Sequence, residues 1–185
     1  MTREPMPADP DPGPWVGKTA DELLAFLGDA ARLWLAHDGL WFQAVERRFG
    51  QEAAIECDRD AWAQFSPIEA RRILERLGPA AGRGLDALDR ALKHRLYGHL
   101  NPQAIERPAP DRLILRILTC RVQEARRRKG LPDFPCRSVG IVEYSTFAQA
   151  VNPRIETRCL VCPPDPTQAG TACAWEFTMG DGGRL

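Results

Sequence analysis

Apolar residues recur at helical spacing through the first half of the chain. Between residues 19 and 50, leucines, alanines and aromatic residues keep an approximate period of 3.6, which predicts one broken helix or two. Thr19 and Glu22 form a capping-box pattern, in which a hydroxyl and a carboxylate satisfy free backbone amides at a helix start. The sequence therefore predicts that regular structure begins near Thr19.

Two more helices are predicted before residue 101. Ser66-Pro67-Ile68-Glu69 is a second capping-box pattern with proline at the first helical position, and it predicts a helix that ends at Gly78. Leucines at four-residue spacing predict another helix over 84–100. Three prolines within 101–111 predict a connector without regular structure.

The pattern changes after this connector. Short runs of branched aliphatic residues and alternating polar and apolar positions are typical of strands, while longer runs with helical period alternate with them. Strands are predicted over 112–120, 154–160 and 173–179, and helices over 122–129 and 137–151. The last two strands should pair antiparallel as a hairpin with a long loop.

These elements predict an α+β fold with N-terminal helices and a small antiparallel sheet with flanking helices. Residues 1–17 are rich in proline and charge, which predicts a disordered tail. We expect a single domain over 18–180, with a helical part at 18–100 and a helix and sheet part that binds metal at 111–179.

Charge and hydropathy narrow the function classes. The chain has 25 basic and 25 acidic residues, so no net positive field favours nucleic acid. It contains no 18-residue apolar run and no hydrophobic signal core at its N-terminus, which argues against a membrane protein and against secretion. We therefore expect a cytoplasmic protein whose partner is a small molecule.

Cysteines cluster in the last third of the chain. Cys159 and Cys162 have the Cys-x-x-Cys spacing of a metal turn, and Cys173 should lie across the hairpin from them. Cys136 at the start of a helix could complete four thiolate ligands. In a reducing compartment this pattern predicts structural zinc, and iron is the alternative because thiolate sets bind both metals. Without a metal, Cys159 and Cys173 would be small buried hydrophobic residues on strands.

This arrangement resembles the vinyl-reductase-type sensor domain of bacterial phenol-sensing regulators. Cys136 matches the family's helix-start cysteine, Glu156 and Cys159 its Glu-x-x-Cys pair, and Cys173 its last cysteine. The resemblance covers residues 112–179 and implies zinc bound by three cysteines and a glutamate, a ligand pocket beside it, and a homodimer.

The fourth metal ligand stays open between two residues. The resembling family uses the position of Glu156 and has no counterpart of Cys162. Strand alternation places Glu156 on the opposite face from Cys159 unless a bulge intervenes, which favours Cys162.

A second resemblance spans nearly all of the chain after the tail. The segments HDGLWF, CRVQEAR, GLPDFPC, CPPD and CAWEF resemble an uncharacterised family of bacterial cytosolic proteins. A hydrolase family that acts on a cyclic thiazoline amino acid is distantly similar. This resemblance implies membership of a family and no particular reaction.

Other residues are candidates for catalysis or ligand binding. Cys120 precedes several arginines, and nearby positive charge lowers a thiol pKa and makes the thiolate reactive. His37 and Glu46 could act as an acid–base pair only if the helix breaks at Gly39, because nine residues place them on opposite sides of a continuous helix. The predicted ligand contacts are His37, Trp41, Arg121 and Gln123.

We therefore predict a sensor-like, metal-bound protein that binds a small molecule. The alternative is a small-molecule enzyme, such as a hydrolase, that uses Cys120 or the pair of His37 and Glu46. A redox switch based on the cysteines is a third class.

Overall fold

The structure, a computed structural model, describes residues 13–166 and 170–180. Most of the predicted disordered tail lies outside the described residues. Residues 13–15 form a single 3-10 turn, and the Trp15 ring packs edge-on against Phe26 with ring centroids 5.0 Å apart.

Two long helices form the N-terminal half. Helix α1 (Ala20–Phe49) begins with the predicted capping box: Thr19 Oγ1 accepts a hydrogen bond from the Glu22 amide at 3.2 Å, and the Glu22 carboxylate accepts one from the Thr19 amide at 2.8 Å. The helix continues through Gly39 without a break, so a single helix replaces the predicted broken pair. Gly50, with a φ of 89° that favours glycine, makes the turn into the next helix.

Helix α2 (Gln51–Leu77) begins sixteen residues earlier than the second capping box predicts, which places the first helical residue at Pro67. Ser66 is fully buried, its hydroxyl has no hydrogen-bond partner, and Pro67 lies inside the helix. The prediction of a helix start at Ser66 is therefore wrong. Burial of Trp62 before the proline and of Ala70 after it stabilises the helix on both sides, which offsets the one backbone hydrogen bond that proline removes.

The segment after α2 also differs from its prediction. Helix α3 (Gly84–Lys93) ends at His94, and a 3-10 turn over Leu96–His99 replaces the rest of the predicted helix. Strand β1 (Gln103–Ala109) lies where a connector was predicted. Its one proline, Pro108, is tolerated because β1 is an edge strand and because the pairing register shifts around it, between Glu106 and Ala109.

The C-terminal half confirms its predicted elements to within a few residues. Strands β2 (Arg112–Ile117), β3 (Ile155–Val161) and β4 (Cys173–Met179) join β1 in an antiparallel sheet of order β1-β2-β4-β3. Helices α4 (Arg121–Arg128) and α5 (Arg137–Val151) flank it. The α+β fold class is therefore confirmed. Within the described residues, no helix is long and apolar enough to cross a membrane.

A bulge in β3 decides which way the last cysteines face. Cys159 pairs with Trp175, but Val161 pairs with the next residue, Ala174, so the register shifts by one between them. Directly paired residues share a face of the sheet, and a one-residue shift exchanges the faces. Cys162 is thereby placed on the same face as Cys159, the face that carries Trp175 and that α5 covers.

Helix α5 lies between the sheet and α2 and forms the centre of the core. Its Phe147 is fully buried, as are Trp175 and Phe177 on the sheet below it. Gly140 on α5 lets the helix approach the Trp175 indole closely: a Cβ at this position would lie 2.6 Å from the ring. The glycine therefore sets the distance between helix and sheet.

Replacing Gly140 with alanine should destabilise the protein by about 1–3 kcal/mol, because the added methyl forces a buried indole to move. Urea unfolding followed by circular dichroism measures this. The control is Gly39→Ala, where nothing lies within 4 Å of the added Cβ, and alanine should there stabilise the helix by up to about 1 kcal/mol. Equal stability of the two variants would contradict the packing role of Gly140.

Candidate functional site

A cavity of about 430 Å³ lies between the N-terminal helices and the helix-facing side of the sheet. Its walls are mostly apolar and aromatic, and three kinds of polar group interrupt them: thiols, carboxylates, and the basic side chains of Arg32, Arg121, Arg126, Arg128 and Lys129. The thiols are those of Cys120, Cys136, Cys162 and Cys173, and the carboxylates are those of Asp38, Asp58 and Glu143. This size and mixture are typical of a small-molecule site.

The thiols converge from separate elements. Cys136 stands at the start of α5 and Cys162 at the end of β3, and their sulfur atoms are 3.2 Å apart. The Cys162 thiol also contacts that of Cys173 on β4, as the bulge in β3 allows. The Trp175 indole N–H donates to Cys173 Sγ at 3.4 Å, and the Gln123 amide donates to Cys136 Sγ at 3.8 Å.

These contacts divide the thiols by acidity. The pKa of the Cys136 thiol lies below its ordinary value because the Cys162 thiol donates a hydrogen bond to it and the Gln123 amide adds another. The pKa of Cys162 is raised well above its ordinary value because it donates to Cys136 and contacts Cys173, and because it is buried. Of the hydrogen-bonded pair Cys136 and Cys162, Cys136 is therefore the sulfur that ionises first.

Cys159 and Glu156, the other two predicted ligands, lie on opposite faces of β3. Cys159 is half-buried on the face that carries the other thiols, where its sulfur accepts a hydrogen bond from Arg137. Burial raises its pKa, and Cys173 and Cys136 add to that effect, so these thiols lie within electrostatic reach of one another. Glu156 is exposed and pairs with Thr178 on the far face.

The donor set suits a thiophilic metal in its chemistry but is not arranged as a finished site. Among residues 13–166 and 170–180, no group of three or more His, Cys, Asp or Glu side chains has the geometry to hold a metal ion. Cys136 and Cys162 stand closer at 3.2 Å than two thiolates of tetrahedral zinc, which lie about 3.8 Å apart. All six cysteines are free.

The carboxylates in the cavity wall were not predicted from the sequence. Asp38 on α1, Asp58 on α2 and Glu143 on α5 all line the cavity. Burial, together with the neighbouring charges of Asp38 and Glu143, raises the pKa of Asp58 to about 7, although the Trp62 indole donates a hydrogen bond that opposes the rise. Burial also raises the pKa of Asp38. This carboxylate side of the cavity suits a ligand group that brings positive charge or hydrogen-bond donors, whereas the basic side chains line other parts of the wall.

Glu143 belongs also to a buried ion cluster next to the cavity. Arg95 is 2% exposed; its Nε lies 2.8 Å from Glu69 Oε2 and its Nη1 lies 2.8 Å from Glu143 Oε1. The guanidinium carbon is 4.7 Å from the centroid of the Phe147 ring, and it also lies over the rings of Trp62, Tyr97 and Tyr144. The cluster ties α2, α5 and the segment after α3 together below the cavity.

The structure does not bring the predicted catalytic residues together. Cys120 lines the cavity, but burial raises its pKa to about 11, which is opposite to the lowering that the neighbouring arginines predict. Glu46 is held by both terminal nitrogens of Arg126 at 3.0 Å. His37 is exposed on the outer face of α1, and because the helix is unbroken it points away from Glu46.

Of the predicted ligand contacts, two line the cavity and two do not. Arg121 and Gln123 lie in its wall, where Arg121 Nε donates to the Leu100 carbonyl at 2.9 Å and the Gln123 amide donates to the Phe134 carbonyl at 2.8 Å. His37 and Trp41 line a separate shallow depression on the outside of α1. The structure therefore separates this predicted set into two surfaces.

Fold and site together define an α+β protein with a half-open cavity of small-molecule size. Residues 17–179 match the model of a family of unknown function (DUF6125), so the chain belongs to that family. No curated protein and no solved structure matches it. The resemblance to an uncharacterised family is thus confirmed, and nothing found supports the finer resemblance to a vinyl-reductase-type zinc domain.

Proposed function

We propose that the protein binds a small molecule in the cavity between its N-terminal helices and its sheet, with a cysteine-bound structural zinc ion beside it. The observation that carries the proposal is the cavity itself: about 430 Å³ in volume, with apolar walls and a few converging polar groups. Output to a separate partner would make such a protein sensor-like.

The lining defines the chemistry of the ligand. Aromatic rings from Phe42, Trp62 and Tyr144 supply apolar contact, and Asp38 and Asp58 supply negative charge. A compact apolar compound with an amine or amidine group fits both, because a cation relieves the repulsion between the carboxylates and interacts favourably with aromatic faces. Such a ligand should bind more weakly as the pH falls below 7, where Asp58 takes up a proton.

The convergence of thiols supports the zinc. Cys136, Cys162 and Cys173 already contact one another, and Cys159 lies on the same face of the sheet. Four thiolates from α5, β3 and β4 would close a structural site with no coordination position left for water, and its role would be to fix helix to sheet. Glu156 lies on the far face of β3, so we propose Cys162 as the fourth ligand.

Filling the cavity tests ligand binding. Gly39 lines the cavity, and a Cβ added there meets nothing within 4 Å, so Gly39→Leu should extend into the cavity while the fold is kept. A library of small amines and amidines, screened by thermal shift, should raise the melting temperature of the wild type and of Gly39→Ala but not of Gly39→Leu. Equal shifts in all three proteins would place the ligand outside the cavity.

Elemental analysis of protein expressed without added metal tests the zinc separately. We expect about one zinc per chain, lost from Cys159→Ser and Cys162→Ser. Cys57→Ser is the control because Cys57 is exposed on α2. A wild type free of zinc, or full zinc occupancy after replacement of both Cys159 and Cys173, would contradict the proposed zinc site. Neither result would bear on ligand binding in the cavity, which the thermal-shift screen tests separately.

A further inference from the structure

Helix α1 carries an apolar stripe on the side that faces away from the rest of the protein. Only Ala31 of its thirty residues is buried, and the helix packs on α2 and the 3-10 turn after α3 along one side. Large side chains are exposed on the other side: Leu33 by 71%, Leu40 by 59% and Trp41 by 63%. A monomer rarely leaves so much of one helix apolar and open to solvent.

The stripe has the spacing of a coiled-coil seam. Its members alternate steps of four and three residues over about 32 Å of helix, and no charged residue interrupts them. They are Leu23, Phe26, Ala30, Leu33, His37, Leu40 and Ala44. This period matches the repeat with which one helix packs along another, so the partner that fits the stripe is a helix.

A depression in the stripe also indicates that the partner is a helix. A shallow hollow of about 360 Å³ is lined by His37, Leu40, Trp41 and Ala44, together with Val45, Arg48 and Phe49. The first four of these residues stand at positions i, i+3, i+4 and i+7, which is the set that forms the hole for a side chain from a facing helix.

The charges of α1 identify the facing helix as a second α1. The first turn carries Asp21 and Glu22, and the last turn carries Arg47 and Arg48. Antiparallel pairing of two copies brings the acidic end of each against the basic end of the other, and parallel pairing brings like charges together. Antiparallel pairing also opposes the helix dipoles favourably.

One antiparallel register matches large residues to small ones. It places Phe26 against the second copy's Ala44, and Ala30 against the second copy's Leu40, while Glu22 faces the second copy's Arg48. Phe26 then enters the depression described above. Because the same patch serves both copies, the interface is self-complementary, as a twofold dimer requires.

We propose that the protein is a homodimer held by antiparallel packing of the two α1 helices along this stripe. Residues 1–12 are a poor substitute for the second copy, because Met1 and Met6 are their only large apolar side chains. The stripe faces away from the cavity except at Leu40, which lines both the cavity and the depression. Leu33 lines neither, so Leu33→Glu alone tests the interface without changing the cavity.

Sedimentation equilibrium of the full chain tests the dimer. The wild type should show twice the chain mass of 20.7 kDa. Leu33→Glu with Leu40→Glu should weaken the dimer at least about 100-fold, because a charge would be buried at each position. The control is Ile68→Glu, which makes the same kind of substitution at an exposed aliphatic residue on α2, outside the stripe. Circular dichroism shows whether the variants keep their helices.

A wild type that is monomeric at 100 μM would overturn the proposal. A dimer that survives the double substitution would also overturn it, because its contact would lie outside residues 23–44. Deleting residues 1–12 should leave the dimer unchanged, and its loss would show that the tail covers or builds the interface instead.

Cysteine cross-linking in a Cys57→Ser background tests the orientation. Mixed Ala30→Cys and Leu40→Cys chains should form a disulfide-linked dimer under mild oxidation. Ala30→Cys alone should not, because the two copies of residue 30 are about 15 Å apart along an antiparallel pair. Cross-linking of Ala30→Cys with itself would show parallel packing and overturn the proposed arrangement.

Discussion

Replacing Arg95 with methionine should lower the free energy of unfolding by about 3–5 kcal/mol at pH 7, because Glu69 and Glu143 lose their only shared cation inside the protein. Arg95 is 2% exposed and binds both carboxylates at 2.8 Å. Methionine keeps much of the volume between the surrounding rings, so the loss reports the charge more than the packing. Urea unfolding measures it.

The matched control is Arg107→Met. Arg107 also pairs with a carboxylate, at 3.0 Å from Asp86, but both side chains are exposed. Solvent screens such a pair, and its loss should cost less than about 1 kcal/mol. Comparable losses in the two variants would contradict the buried network.

A triple variant separates the missing cation from the missing packing. If Glu69→Gln and Glu143→Gln are added to Arg95→Met, the uncompensated charges disappear and most of the lost stability should return. A triple variant no more stable than Arg95→Met would show that the network matters through its shape and not through its charge.

The sequence predicted the C-terminal half more closely than the N-terminal half, and the reason lies in local signals. Helix α5 and strand β4 are bounded by breakers and have clear periods, so their limits agree with the prediction. Strand β1 contains Pro108 and is flanked by Pro102 and Pro110, a pattern typical of a loop, and its position at the edge of the sheet makes the internal proline tolerable. Edge position is a property of the whole fold and cannot be recognised in a local pattern.

The candidate site shows the same difference between local and tertiary signals. The cysteines were found because their spacing is unusual, but the bulge that turns Cys162 toward Cys159 was not predicted and is seen in the pairing of β3 with β4. Asp38, Asp58 and Glu143 were missed because a carboxylate on a long helix ordinarily faces solvent. Their meeting depends on three helices that are distant in sequence. Buried acids of this kind are found from the tertiary structure alone.

Asp58→Asn should stabilise the protein above pH 7 by up to roughly 4 kcal/mol, and the gain should shrink toward zero near pH 4. The folded protein raises the pKa of this carboxyl from 3.8 to about 7. Between these values the folded chain holds a proton that the unfolded chain releases, so ionisation of Asp58 costs stability as the pH rises from about 4 to 7. The cost is complete above pH 7, and asparagine avoids it.

Urea unfolding at pH 4.5, 6 and 8 measures this dependence, and Asp60→Asn is the control because Asp60 is exposed on the same helix. A gain of the same size at all three pH values, or none at pH 8, would contradict the burial of an ionising carboxyl. Asparagine can still accept the hydrogen bond of the Trp62 indole, so the geometry of the cavity wall should be kept.

The same substitution should act in the opposite direction on binding. A cationic ligand offsets the cost of ionising Asp58, so the wild type should bind it more tightly as the pH rises through 7. Asp58→Asn should be more stable without ligand and should bind a cationic ligand weakly at every pH. A role in ligand binding explains why the chain keeps a destabilising carboxylate in the cavity wall. The pH dependence of ligand affinity, measured for the wild type and for Asp58→Asn, tests this explanation.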